Sequence, residues 1–111
     1  MFEFQYKGKL SGYNQRYIKG YILAPVYRKF KEAVRIEFKK KYLGFKPLLG
    51  DVAVTIEYNS RHDADNITKA INDSLEGYAF LNDNQIVDLH ILKNKNIEKG
   101  FKITIYNTGV I

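Results

Sequence analysis

Between residues 52 and 75 the apolar period of the chain changes, and the change fixes how two elements must join. Val52, Val54, Ile56 and Tyr58 alternate with Ala53, Thr55 and Glu57, the period of two expected of a half-buried strand. Ile67, Ala70, Ile71, Ser74 and Leu75 then follow at helical spacing, and Gly77 supplies a stop. At the seam lies Asp63-Ala64-Asp65-Asn66-Ile67-Thr68-Lys69, two carboxylates, a carboxamide and an ammonium in one short run. Acidic groups gathered where a strand gives way to a helix suit a hard divalent cation.

The rest of the chain supplies partners for this strand and helix. Phe2, Phe4 and Tyr6 alternate with polar residues and predict a first strand. Tyr27, Phe30, Val34, Phe38 and Tyr42 form one helical stripe that begins near Pro25 and stops near Gly44. Val87, Leu89 and Ile91, then Phe101, Ile103 and Ile105, predict two further strands separated by the turn Lys93-Asn94-Lys95-Asn96. The order strand, helix, strand, helix, strand, strand predicts one small α+β domain with helices packed on a mixed β-sheet. A length of 111 residues fits one such domain, with a modest core that a partner subunit would help to stabilise.

Charge is divided along the chain. Residues 1–47 carry twelve Lys or Arg against three Asp or Glu, and residues 48–111 carry six against nine. The basic half suits a polyanion and the acidic half suits a metal. Arg28, Lys29, Lys31 and Arg35 place cations on the exposed surface of the first helix. The loop around Asn14 and Arg16 mixes aromatic, amide and basic residues suited to base stacking and phosphate contact. With no cysteine, thiolate metal sites are excluded, and with only His62 and His90 as imidazoles a structural zinc site is not expected. A metal would have to be held by oxygen, as Mg2+ or Mn2+ are. No segment has signal-peptide or membrane-span character, which predicts a soluble, cytoplasmic protein with no membrane partner. No glycine-rich nucleotide loop is present.

In an extended segment, residues two apart point the same way, so Asp63 and Asp65 are expected to present both carboxylates to one side. Asp65 is also placed to cap the following helix, which is the plain structural alternative. Lys69 falls one turn beyond Asp65 on the same face and Asp73 one turn further, either as an exposed ion-pair ladder or, for Lys69, beside a scissile phosphate. Asn66 is expected to orient a carboxylate or a water, or to assist the cap. A bound divalent cation held by Asp63, Asp65 and Asp83 would make this a phosphodiester-cleaving site.

These residues resemble the RusA family of Holliday junction resolvases. The family pattern, Asp-x-Asp-Asn, a lysine, an aspartate of the same helix, then an acidic pair followed by glutamine, reads here as Asp63-Ala64-Asp65-Asn66, Lys69, Asp73 and Asn82-Asp83-Asn84-Gln85-Ile86. Lys93 and the loop Asn14-Gln15-Arg16-Tyr17 also resemble family positions. The resemblance spans most of the chain and implies a single RusA-like endonuclease domain over residues 1–111. It implies a homodimeric, Mg2+-dependent endonuclease of recombination and repair, often carried by phages and prophages, that cuts four-way DNA junctions in paired, symmetric incisions. Asp63, Asp65 and Asp83 would then be metal ligands and Lys69 the catalytic cation. Asn82 departs from the acidic pair. It leaves open a junction-binding protein with weak or no activity, beside a less selective nuclease of branched or flapped DNA.

Overall fold

The computed structural model describes residues 2–13, 17–18 and 22–108. The first strand, β1, spans Phe2–Lys7, and two short strands, β2 (Tyr17–Ile18) and β3 (Ile22–Leu23), pair antiparallel with each other. Helix α1 (Pro25–Lys41) starts with Pro25 in its first turn, where the missing N–H costs nothing. Its stripe of Tyr27, Phe30, Val34 and Phe38 is buried as the spacing predicts. β4 (Val52–Asn59) alternates strictly between buried and half-buried residues. Helix α2 (Ala64–Leu75) buries Ile67, Ala70, Ile71, Ser74 and Leu75. The buried hydroxyl of Ser74 donates back to the Ala70 carbonyl at 2.8 Å. β5 (Ile86–Lys93) and β6 (Gly100–Asn107) complete the main sheet.

That sheet has the order β1-β6-β4-β5. β6 is antiparallel to both β1 and β4, whereas β4 and β5 run parallel, joined by α2 as the crossover. The sheet is therefore mixed, and the domain is α+β as the sequence predicts. Phe4, Val54, Ile56, Tyr58, Phe101, Ile103 and Ile105 form the buried face, which shares one core with α1 and α2. Phe4 meets Phe38 and Phe101 edge to face.

β5 departs from expectation. Its alternation predicts a half-buried strand, yet Val87 is 57 % and Leu89 42 % exposed. Leu89 pairs with Val54 and Ile91 with Ile56, so these side chains share the helix-covered face. β5 is the outermost strand, however, and α2 covers only part of it. A period of two shows which face a residue takes, not what lies over it.

Candidate active site

The strand-to-helix seam is tied down by its own side chains. The Tyr58 hydroxyl donates to the His62 carbonyl at 2.9 Å, and the His62 N–H donates to Ser60 Oγ at 3.2 Å. The same Oγ lies 2.9 Å from His62 Nδ1. Asp63 follows as the N-cap, with extended backbone and no capping hydrogen bond from its side chain.

This geometry corrects two sequence-based expectations. The helix begins at Ala64, so Asp65 sits inside the first turn and is not the cap. For the same reason Asp63 and Asp65 do not share an extended segment.

Asp63 is grouped with Tyr58, His62 and Lys93. Burial, and then the Asp63 charge, push the Tyr58 phenol above its ordinary pKa. Burial lowers the His62 pKa, with Lys93 reinforcing and Asp63 opposing that shift. Asp65 instead faces a trough of about 400 Å³ between α2 and β5. Asp65, Lys69 and Asn72, spaced by four and three, line its helical wall; Val87 and Leu89 line the strand wall; Asp83 also borders it. A smaller cavity of about 240 Å³ shares Lys69, Asn72 and Asp83 with the trough and adds Tyr13, Asp73 and Glu76. Lys69 Nζ stands 5.9 Å from the centroid of the Tyr13 ring. Burial, and then the charges of Asp83 and Asp73, raise the Glu76 carboxyl above its ordinary pKa, while Lys31 works against the rise.

Asp83 is placed by a 3₁₀ turn, Asp83–Gln85, with a reciprocal cap. Asn82 Oδ1 accepts from the Asn84 N–H at 2.9 Å. The Gln85 side chain accepts from the N–H groups of Leu81 and Asn82 at 2.7 and 2.9 Å. Its amide donates to the carbonyls of Leu48 and Gly50, both at 2.8 Å. Gln85 therefore fixes the turn that carries Asp83. Asparagine and aspartate cap about equally well, so Asn82 fills a structural position that either residue can occupy.

Among the described residues, no three carboxylates or imidazoles converge as a metal cage. Magnesium does not require one, since one or two carboxylates, waters and substrate phosphate usually complete its shell. Asp65 and Asp83 on one trough fit that sparser set. Asn72 strengthens the fit: it is 92 % buried between the two cavities, and its Oδ1 has no hydrogen-bond partner. A buried acceptor left in this way is suited to a water or a cation shell.

The family model described as endodeoxyribonuclease RusA matches residues 7–106. The chain belongs to the RusA endodeoxyribonuclease family. No curated protein matches it.

The remaining residues of the RusA pattern separate by position. Asp73 ties α2 to α1: Tyr27 donates to its Oδ2 at 2.7 Å, and Lys31 Nζ lies 3.2 Å from the same oxygen. Arg35 donates to the carbonyls of Ser74 and Asp73 at the end of α2 and stacks on Tyr78 at 4.9 Å. Lys31 and Arg35, expected to face DNA, thus also hold the two helices together. Arg28 and Lys29 are exposed on α1, and Lys93 lies over the Tyr58 ring at 5.7 Å. Asn14 and Arg16 lie outside the described residues. Asn66 sits in the first turn of α2 against Gly12. Sequence reasoning did not single out Asn72, Glu76 or Gln85 as site residues. Spacing from Asp65 and Lys69 places Asn72 on the trough face, and Gln85 is visible only as part of the family pattern.

Proposed function

We propose that this chain is a structure-selective endodeoxyribonuclease that resolves Holliday junctions in DNA recombination and repair. The carrying observation is that Lys69 shares one trough with Asp65 and Asp83 in a chain of the RusA endodeoxyribonuclease family. Asp65 and Asp83 would hold Mg2+, completed by waters and substrate phosphate, and Mn2+ would substitute; Asp63 lies outside the trough that these two share. When bound, the cation supplies an activated water and a polarised phosphoryl oxygen. Lys69 stabilises the charge that grows on the scissile phosphate. Asn66 and Asn72 orient the groups beside them. Arg28, Lys29 and Lys93 contact the DNA backbone, along with Asn14 and Arg16. A four-way junction offers two equivalent scissile sites, which a two-fold homodimer matches with two active sites.

The test is incubation of the purified protein with a labelled four-way junction and Mg2+, mapping all strands. Paired symmetric nicks are expected, with linear duplex and flap cut far more slowly at matched salt. Asp65→Asn should abolish cleavage and keep junction binding, because a repelling charge is lost while the phosphate contacts remain. Cleavage by that variant without metal would overturn the mechanism. Equal cutting of flap and junction would replace junction resolution with a broader nuclease activity.

A further inference from the structure

A third cavity, of about 740 Å³, lies on the His62 side of Asp63, and its charge is one-sided. Lys9, Arg61, Lys95 and Lys99 line it together with His62 and Leu10, and among the described residues no carboxylate does. The four cations come from three separate turns: the one after β1, the one between β4 and α2, and the one between β5 and β6. Hydrogen bonds tie these turns together: the Gly8 N–H donates to the Lys99 carbonyl at 2.9 Å, and the side-chain amide of Asn59, at the end of β4, donates to the Ile97 carbonyl at 2.7 Å. Like charges gathered in a concave site repel one another and focus a positive potential outward. The volume falls in the range of ligand clefts, about 300–1,000 Å³.

We infer that this cavity seats backbone phosphate of the DNA strand that runs past Asp63 and Asp65 into the trough. The inference rests on the nuclease reading above and deepens it by naming where the strand is held beside the cut. The cavity and the trough lie on either side of the α2 N-terminus, where exposed N–H groups also favour phosphate. A strand bridging them would pass the Asp63–Lys69 run with cations behind it and carboxylates ahead. Lys9, Arg61, Lys95 and Lys99 thereby become binding residues, with no part in bond cleavage.

Fluorescence anisotropy with a labelled four-way junction in EDTA tests this without any cutting. Lys95→Ala/Lys99→Ala should weaken binding about tenfold near 0.1 M salt and lower the slope of log affinity against log salt by about two. Arg61→Ala should weaken binding in the same direction. Lys46→Ala/Lys102→Ala removes the same charge from exposed or half-exposed positions outside this cavity and should stay within about twofold of wild type. All these side chains reach solvent, so folding is expected to survive, and thermal melting checks it. Wild-type affinity and salt slope in both cavity variants, or an equal loss in the Lys46/Lys102 control, would overturn the inference. Displacement of the junction by inorganic phosphate, beyond its ionic-strength effect, would also overturn it, in favour of a free-anion seat. If the wild type binds junction no better than linear duplex, the functional reading fails. The cavity then stands or falls on whether its variants lose duplex affinity.

Discussion

Gly12 is seated directly against the side-chain amide of Asn66. A Cβ added at Gly12 would lie 2.1 Å from Asn66 Nδ2 and 2.9 Å from a ring carbon of His62. The segment after β1 is therefore clamped to the first turn of α2, beside the carboxylates. Gly12→Ala must displace either this segment or Asn66. A cost of about 1–3 kcal/mol is expected, read by thermal melting. Because the closest atom is the end of a side chain, Gly12→Ala/Asn66→Ala should recover much of that stability. Cleavage should stay impaired in both variants.

The Tyr27–Asp73 hydrogen bond separates a structural carboxylate from the candidate ligands. Tyr27→Phe should lower stability by about 1–2 kcal/mol, as hydrogen bonds to charged groups do when partly buried. Cleavage of saturating junction should be unchanged. A large fall in kcat for Tyr27→Phe without loss of stability would place Asp73 among the reacting groups instead.

Gln85 both accepts and donates, and a carboxylate can only accept. Gln85→Glu would leave the Leu48 and Gly50 carbonyls without their donor and set a charge beside them. A loss of about 1–3 kcal/mol is expected. Looser placement of Asp83 should also weaken Mn2+ binding, measured by electron paramagnetic resonance. Unaltered Mn2+ affinity in this variant would remove Gln85 as the residue that positions Asp83.

Glu76 carries a penalty for ionising, because burial and the charges of Asp83 and Asp73 hold its carboxyl above the ordinary value of 4.5. Its contribution to stability is full below that ordinary value and is lost as pH rises through the raised one. Glu76→Gln should therefore melt at higher temperature than wild type at neutral pH. The difference should close as pH falls below about 4.5. A stabilisation that persists unchanged in acid would rule out charge as its cause.

Most of the framework was legible because each main element carries one clear apolar period. The stripe of α1 and the alternation of β4 each lead to the observed buried residues. That Asp65 lies inside α2 rather than at its cap was not legible, since it turns on a two-residue shift of a helix boundary, where sequence signals are weakest. The pairing of β2 with β3 had no signal in their two-residue lengths. Asp73 was visible as a motif residue, but its tie to Tyr27 crosses 46 positions of chain. The Lys9, Arg61, Lys95 and Lys99 cluster was equally hidden, because it exists only once three turns are brought together.

The position of β6 bears on when the protein can first become active during its synthesis. Among the described residues β6 follows the other strands of the main sheet along the chain, yet it lies between β1 and β4 and supplies the neighbour that both share. Until it leaves the ribosome, β1 has no partner in the main sheet and β4 can pair only with β5. The parallel β4–α2–β5 unit that carries Asp65, Lys69 and Asp83 must wait with one open flank. The nuclease activity proposed above should thereby be withheld from the growing chain until β6 has emerged.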